Sequence, residues 1–336
     1  MRSRLLALVA CLLVVAGCTA TPVTGASPGS ERAPAGSAAP GVSQSAPPDA
    51  AASPSTVPSP SPPSGVSKVL VIVEENHSLS EMRDAMPYLF GLAQQYGYAT
   101  DYRAATHPSL PNYLAIAGGS TFDVADDASP SAHPLTGPSV FGAAIAAGRT
   151  AGLYAESMPS ACDVAPSGPY AVKHAPWAYF VDEAALCQAG MVPTGTPADG
   201  ALASDVAAGD LPTVGMLVPD LDHDAHDGTL ATADEWLHAW LPGIMAGPDF
   251  LAGRLAIVVT ADEDDGSAGN QVLTVVIAPG VTHEVVTSPL SHYSLTGLLC
   301  EVAGVPPLRE AAGAPSFAEA FGLRLGAPAQ PQASRP

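Results

Sequence analysis

The chain has 336 residues, 47% of them hydrophobic, and carries a net charge of −20 from 32 acidic against 12 basic side chains. That length and apolar content rule out a wholly disordered chain and are enough for one large α/β core. The acid excess, with no basic cluster anywhere, leaves no footprint for a nucleic-acid partner, and any phosphorylated ligand must find positive charge in a local arrangement or a bound cation.

Arg2 and Arg4 precede an apolar run from Leu5 to Ala16, followed by Gly17 and Cys18. The run is too short to span a bilayer and has the form of an export signal covering residues 1–17. Small residues directly ahead of Cys18 resemble a lipobox, which implies lipidation of Cys18 and an anchor on the outer side of the cell membrane. An ordinary secretory signal is the alternative, and it implies a secreted protein. Residues 18–66 are almost wholly Ala, Pro, Ser, Gly and Thr, with Glu31, Arg32 and Asp49 as the charged exceptions. Too few large apolar side chains are present to offset the entropy of ordering, so a tether is expected, roughly 40 Å long as a random coil. The folded domain is expected over 67–325 and a loose tail over 326–336.

Within the domain, the β-branched run Lys68–Glu74 reads as a buried strand that delivers Glu75, Asn76 and His77 to its carboxyl end. Pro87 to Tyr96 has helical spacing. Thr106–Thr121, "THPSLPNYLAIAGGST", is a turn leading into a helix that stops at Gly118-Gly119. Further strands are expected at 150–157, 213–220, 255–264 and 272–280, and helices at 138–148, 232–241 and 291–303. The insert from Ala155 to Pro197, with Tyr170, Trp177, Tyr179 and Phe180, suits either a groove or a lid. Cys162 and Cys187 both lie in this insert and are paired as a disulfide, which export permits; Cys300 is left as a buried thiol. Alternating strands and helices predict a mostly parallel sheet covered on both faces, with ligands beyond the carboxyl ends of the strands. Three apolar runs end in carboxylates: Glu75, the segment Asp220–Asp227, and Asp262–Asp265. Their convergence at one sheet edge is the expected site.

The stretch "PDLDHDAHDG" (219–228) places acids at the first three ligand positions of a calcium loop, but Ala225 stands where that loop needs Gly and Ala231 where it needs Glu. The missing turn and bidentate ligand argue against an EF-hand. A solvated acidic loop and a catalytic metal site remain.

The motifs "EENHS", "THPSLPNYLAIAGG", "YAVKHAPW", "PDLDHDAHDG", "TADEDDG" and "SHYSL", in this order from Lys68 to Pro307, resemble the bacterial phosphoesterase family that contains acid phosphatases and phospholipases C. The resemblance implies the alkaline-phosphatase-like three-layer α/β/α sandwich and metal-assisted phosphoryl transfer through a hydroxyl nucleophile. It assigns that hydroxyl to Thr106, just ahead of a helix N-terminus, with Ser109 as the second choice. It carries Glu75, Asn76, Asp262 and Glu263 over as ligands of divalent metal; Asn76 thus also belongs to the catalytic set. The oxygen-rich set favours Ca²⁺, Mg²⁺ or Mn²⁺ over Zn²⁺. Asp224 and His292 are expected to hold a second ion, with Asp222 open as an alternative to Asp224. His226 is either a further ion ligand or the general acid. Lys173, His174 and His107 are expected to contact the phosphate, and His77 and His223 to line the pocket. Asp264 and Asp265 are read as a solvated turn.

The reading that results is an exported phosphomonoesterase forming a phosphothreonine, acting on small phosphorylated molecules or lipid headgroups. A phospholipase C-type phosphodiesterase is the alternative, and a surface module holding structural calcium is a third.

Overall fold

The computed structural model describes residues 65–326. The signal segment, Cys18, the tether as far as residue 64 and the tail from 327 lie outside the described residues. The strands are β1 (Lys68–Glu74), β2 (Gly97–Ala99), β3 (Tyr102–Arg103), β4 (Ala151–Ala155), β5 (Met191–Pro193), β6 (Val214–Val218), β7 (Leu255–Ala261), β8 (Thr274–Ile277), β9 (Glu284–Val286) and β10 (Leu290–Ser291). The helices are α1 (Leu79–Ala85), α2 (Pro87–Gln95), α3 (Ser109–Gly118), α4 (Val140–Ala146), α5 (Ala184–Gly190), α6 (Ala201–Ala208), α7 (Leu230–Met245), α8 (Pro248–Leu251), α9 (His292–Ala303) and α10 (Phe317–Ala320).

Eight strands form one sheet in the order β5-β4-β6-β1-β7-β8-β2-β9, and β3 pairs with β10 in a small second sheet. β1 lies at the centre because every one of its residues is buried, as its unbroken apolar run requires. It pairs in parallel with β6 on one side, Val69 opposite Val214, and with β7 on the other, Val69 opposite Ala256. β8 runs antiparallel to both β7 and β2. Helices α3, α4 and α9 pack together as one layer, and α1, α2, α6, α7 and α8 form the other. This is the three-layer sandwich with a mostly parallel sheet that the strand–helix alternation implies.

Several elements differ from their sequence-based bounds for identifiable reasons. α7 runs four residues past the expected end at 241 and contains Pro242. Proline there lacks only its own N–H, and the final turn still closes when Ala246 N–H donates to the Pro242 carbonyl. Val66, one residue ahead of the expected start of the domain, is buried, donates to the Arg324 carbonyl and accepts from Gly326 N–H. β2, β3, β5, β9 and β10 have two or three residues each, too few to show any period. Among the described residues no helix is long and apolar enough to cross a membrane.

The aromatic insert packs as a wall of the core. Tyr170, Trp177, Tyr179 and Phe180 are each 1% exposed or less. Trp177 stacks on Phe141 with ring centroids 4.7 Å apart, and Phe180 meets Phe122 edge-on. Cys162 and Cys187 form a disulfide, with Cα atoms 5.4 Å apart, and Cys300 is a buried thiol. One carboxylate ties the insert to the helical layer. Glu183 accepts from Ser139 N–H at 2.8 Å, from Ser139 Oγ at 2.5 Å and from the Trp177 indole N–H at 2.8 Å. Gly142 is required opposite it, since a Cβ there would lie 1.9 Å from Glu183 Oε1.

Glu183→Ala leaves the buried indole and Ser139 donors without an acceptor. It should destabilise the domain by about 3 kcal/mol, read as a lowered urea midpoint at unchanged slope. A midpoint equal to that of the parent protein would show that Glu183 does not hold the insert.

Candidate active site

β6, β1 and β7 are neighbours in the sheet, so their carboxyl ends bring the three acid-bearing segments together. Backbone hydrogen bonds join them: Glu75 N–H donates to the Asp224 carbonyl at 2.8 Å and Asp262 N–H to the Glu74 carbonyl at 2.9 Å. Asn76 and Ala225 adopt left-handed backbone, at φ 55° and 73°, which turns each segment sharply beyond its strand.

Glu75, Asp224 and Asp262 are fully buried, and Glu263 nearly so. Asn76 binds the first and third of these, with its amide N–H on Asp262 Oδ1 at 3.0 Å and its Nδ2 on Glu75 Oε2 at 3.1 Å. Burial, with the charges of Asp262 and Asp224, pushes the Glu75 carboxyl well above its ordinary range. Burial likewise raises Asp224 to about 7 against hydrogen bonding from His226, and Asp262 to about 6 against hydrogen bonds from Asn76 and Glu263. Glu263 rises to about 7 through burial and the charge of Asp262. Glu75 Oε1, Asp224 Oδ2 and Asp262 Oδ2 have no hydrogen-bond partner among the described residues. Crowded, buried, unpartnered carboxylate oxygens are what a divalent cation satisfies, and the donor set fits one. Oxygen donors predominate, which suits a hard ion.

The helix α3 delivers the hydroxyl. Ser109, its first residue, is 2% exposed, and its Oγ donates to Glu75 Oε2 at 2.9 Å while receiving Lys173 Nζ at 3.3 Å. Thr106 is placed differently. Its Oγ1 donates to the His107 carbonyl at 3.1 Å, and among the described residues no hydrogen bond joins its side chain to the carboxylates. Asn112, one turn into α3, fixes this loop: its Oδ1 accepts from Ala105 and Thr106 N–H, and its Nδ2 donates to the Thr106 carbonyl and to Glu263 Oε2 at 3.0 Å.

Lys173 and His174 sit on consecutive positions of a short 3₁₀ turn (Val172–His174) and therefore point apart. Lys173 Nζ reaches Ser109, Asp127 Oδ2 at 3.1 Å and His226 Nε2 at 3.3 Å. Its burial disfavours charge, but Glu75 and Asp127 outweigh that and raise its pKa. His174 turns inward, 1% exposed and stacked on Tyr113, with Nε2 3.0 Å from Glu75 Oε1 and Nδ1 3.0 Å from Asp224 Oδ2. Neither contact is aligned as a hydrogen bond. Burial, with Lys173 and His226 nearby, holds the His174 pKa well below its ordinary value. A neutral imidazole between two carboxylates is placed to share a cation with them, a different role from the phosphate contact expected of it.

His226 lies at the rim, its Nδ1 on Asp227 Oδ1 at 2.7 Å. A carboxylate accepts, so Nδ1 carries the hydrogen and Nε2 turns its lone pair toward Lys173. His107 bridges Glu263 Oε2 at 3.2 Å and Asp264 Oδ1 at 3.1 Å; burial opposes its protonation, but the two carboxylates outweigh that and raise its pKa.

The remaining expected residues fall outside this cluster. His292 is buried, but Tyr102 Oη meets its Nδ1 at 3.0 Å and its Nε2 donates to the Asp262 carbonyl at 2.6 Å, which leaves no ring nitrogen for an ion. It orients the Asp262 segment from behind. Asp222 is exposed, while Asp224 faces His174. Asp264 is not a solvated acid: it is 1% exposed and accepts from Gly266, Ala268 and Asn270 N–H. His223 sits apart with Glu156 and Asp220, within 4.8 Å of one another. That trio is hydrogen-bonded to itself and to the Trp236 indole and Ser157. Ser109 is the second choice of nucleophile from sequence, while Asn112, Asp127 and Tyr113 are not singled out there. The only signal was the polar Ser and Asn spaced three apart at the start of an otherwise apolar helix.

Residues 81–306 match the Phosphoesterase family. The chain belongs to the phosphoesterase family. Its activity is accordingly the hydrolysis of phosphoric esters. Over 245 residues it is 33% identical to the phosphatidylinositol-3-phosphatase of Mycobacterium tuberculosis, covering 71% of this chain and 77% of that one. It is 27% identical to the phosphate-repressible acid phosphatase of Penicillium chrysogenum over 65% of this chain, and spans 54% of the length of that fungal protein. Among solved structures, a protein of the alkaline phosphatase superfamily from Vibrio parahaemolyticus superposes with a TM-score of 0.52 at 13% identity, covering 77% of this chain and 74% of that one. That likeness concerns the fold, and this phosphoesterase has the alkaline-phosphatase-like sandwich.

The raised carboxyls set a pH dependence. Asp224, Asp262 and Glu263 bind protons more tightly folded than unfolded, where they titrate near 3.8 and 4.5. Their contribution to stability is present below about pH 4 and is lost as pH rises through 6 to 7. A chelator-treated sample should therefore melt at lower temperature at pH 8 than at pH 5, and added Mg²⁺, Mn²⁺ or Ca²⁺ should raise the melting temperature more at pH 8. An ion effect that is absent at both values, or larger at pH 5, would contradict the assignment of these carboxylates as ligands.

Proposed function

We propose that this phosphoesterase is an exported phosphomonoesterase in which Ser109, rather than Thr106, is the nucleophile. The observation that carries the reading is the position of the Ser109 hydroxyl between the Glu75 carboxylate and the Lys173 ammonium, at 2.9 Å and 3.3 Å. A divalent cation held by Glu75, Asn76, Asp262 and Glu263, with Asp224 and His174 alongside, would supply positive charge against the phosphate oxygens and favour the ionised serine.

The chain's own groups account for the rest. Ser109 Oγ passes its proton to Glu75 Oε2 and attacks phosphorus. Lys173 Nζ neutralises the charge that gathers on the phosphoryl oxygens. The bond from phosphorus to the leaving oxygen breaks; with Lys173 drawn to the phosphoryl oxygens, His226 Nε2 is free to carry a proton and gives it to that oxygen while Asp227 holds Nδ1–H. The phosphoserine is then hydrolysed: His226 takes a proton from water, the hydroxide attacks phosphorus, the bond from phosphorus to Ser109 Oγ breaks as Glu75 returns its proton to that oxygen, and inorganic phosphate is released. His107, tied to Glu263 and Asp264, faces the open side, where an incoming phosphate arrives.

Three features support export and a lipid-headgroup substrate as part of the same reading. They are the lipobox-like segment ending at Cys18, the Cys162–Cys187 disulfide, which persists in oxidising compartments, and the 33% identity to a phosphatase named for a phosphoinositide. A phospholipase C-type diesterase is the competing reading, and the hollow beside Lys173 gives it room for a second ester group.

Ser109→Ala should lower hydrolysis of p-nitrophenyl phosphate by at least about a thousandfold at unchanged melting temperature, while Thr106→Ala stays within about tenfold. Acid-quenched enzyme should carry phosphate on the peptide containing Ser109. The reverse pattern would restore Thr106 as nucleophile, and faster turnover of p-nitrophenyl phosphorylcholine than of p-nitrophenyl phosphate would favour the diesterase.

A further inference from the structure

Beside the Ser109–Lys173–His226 cluster lies a hollow of 340 Å³ with a mixed lining. Lys173 and His226 form the end nearest Ser109. Asp127 and Asp227 flank them, and Val172, Leu221 and Pro166 make the floor. A second hollow of 500 Å³ shares Ser129 and Pro166 with the first and is bounded by Val164, Val181, Phe180 and the Cys162–Cys187 disulfide. The large apolar side chains exposed among the described residues are Val164, Val181, Leu251 and Val285, and the first two, 54% and 46% exposed, both border this second hollow. The chain as a whole carries a net charge of −20, so an apolar strip leading away from the reacting hydroxyl is not the general character of the protein.

We propose that the two hollows form one leaving-group trough, and that its occupant is the alkyl chain of an amphipathic phosphomonoester. This rests on the phosphomonoesterase reading for its orientation. With phosphorus at Ser109, the leaving oxygen faces His226 and the group behind it enters the first hollow. Asp127 and Asp227 repel a second phosphate there and accept hydroxyl or ammonium donors. Beyond Pro166 the lining holds no charged side chain; apart from Ser129 and Ser131 it is apolar, with Val164, Val181, Phe180 and the disulfide among its walls, which suits hydrocarbon. The substrate class is therefore a phosphomonoester whose group beside the ester oxygen is uncharged or cationic and whose far end is apolar. A second phosphate seated in the first hollow is disfavoured.

Calorimetric titration with ethylphosphonate and octylphosphonate, below micelle-forming concentrations, tests the trough without turnover. Octylphosphonate should bind at least about thirtyfold more tightly, since each fully buried methylene contributes about fourfold and burial of two or three of the added ones reaches that figure. Val164→Asp and Val181→Asp should each remove most of that difference while leaving kcat/KM for p-nitrophenyl phosphate within about twofold. In turnover, kcat/KM should rise from butyl to octyl phosphate, and glucose 1-phosphate should be preferred over glucose 1,6-bisphosphate. Equal affinity for the two phosphonates overturns the proposal. So does a chain-length effect that survives in Val164→Asp and Val181→Asp, or one seen only with vesicle-embedded substrate, which would make the valines a membrane-contacting rim. Absence of p-nitrophenyl phosphate hydrolysis would sink the catalytic reading separately, because the phosphonate titration still decides whether the trough binds hydrocarbon.

Discussion

Mutual repulsion among buried carboxylates is the constraint around which this molecule is arranged. Glu75, Asp224 and Asp262 stand at the ends of three adjacent strands, fully buried, each with one oxygen that nothing among the described residues satisfies. Such a group stays folded only if its members take up protons, or if a cation compensates them. Protonation removes the charge that makes them useful, so the same crowding that destabilises the empty cluster creates affinity for an ion. Glu74 extends the effect one residue back. It is fully buried with neither carboxylate oxygen partnered, and burial together with Asp224, Asp234 and Glu156 holds its pKa well above the ordinary range.

The rest of the fold holds this unfavourable arrangement in place. The parallel β6-β1-β7 core fixes the strand ends, and backbone hydrogen bonds between Glu75 and Asp224 and between Asp262 and Glu74 stop the segments from spreading apart. Asn112 and His292 act from opposite sides, one through its amide on Glu263 and the 105–108 loop, the other through the Asp262 carbonyl. The insert contributes in the same way. Its aromatics are buried, and Glu183 and Trp177 anchor it, so Lys173 and His174 come from a rigid wall. Preorganisation of that kind lets a few charges act strongly in a site that excludes water.

A strongly acidic protein that works on anions needs its few cations well placed. Lys68 is committed to Asp249 at 2.7 Å, beneath the sheet, which leaves Lys173 as the lysine available to a phosphate. Asp127 and Glu75 keep it charged despite its burial. Asp127 also accepts Leu110 N–H near the start of α3, so one carboxylate couples the lysine to the helix that carries Ser109.

The sequence by itself determined the architecture and most of the acidic donors. Long β-branched runs at 68–74, 214–218 and 255–261 bury on both faces whatever surrounds them, and alternation with helices leaves few sheet topologies. The polar residues after those runs had to meet at one edge, so Glu75, Asn76, Asp224 and Asp262 were legible. The hydroxyl that joins them was decided by tertiary structure. Thr106 and Ser109 lie three residues apart before the same helix, and a rotation of that loop, set by Asn112, turns one toward Glu75 and the other toward a backbone carbonyl. The fate of each histidine was decided the same way. A sequence gives the residue type, but whether an imidazole faces a phosphate, an ion or a carbonyl depends on the partners that packing brings to its two nitrogens. For His174 and His292 those partners lie tens to hundreds of residues away in the chain.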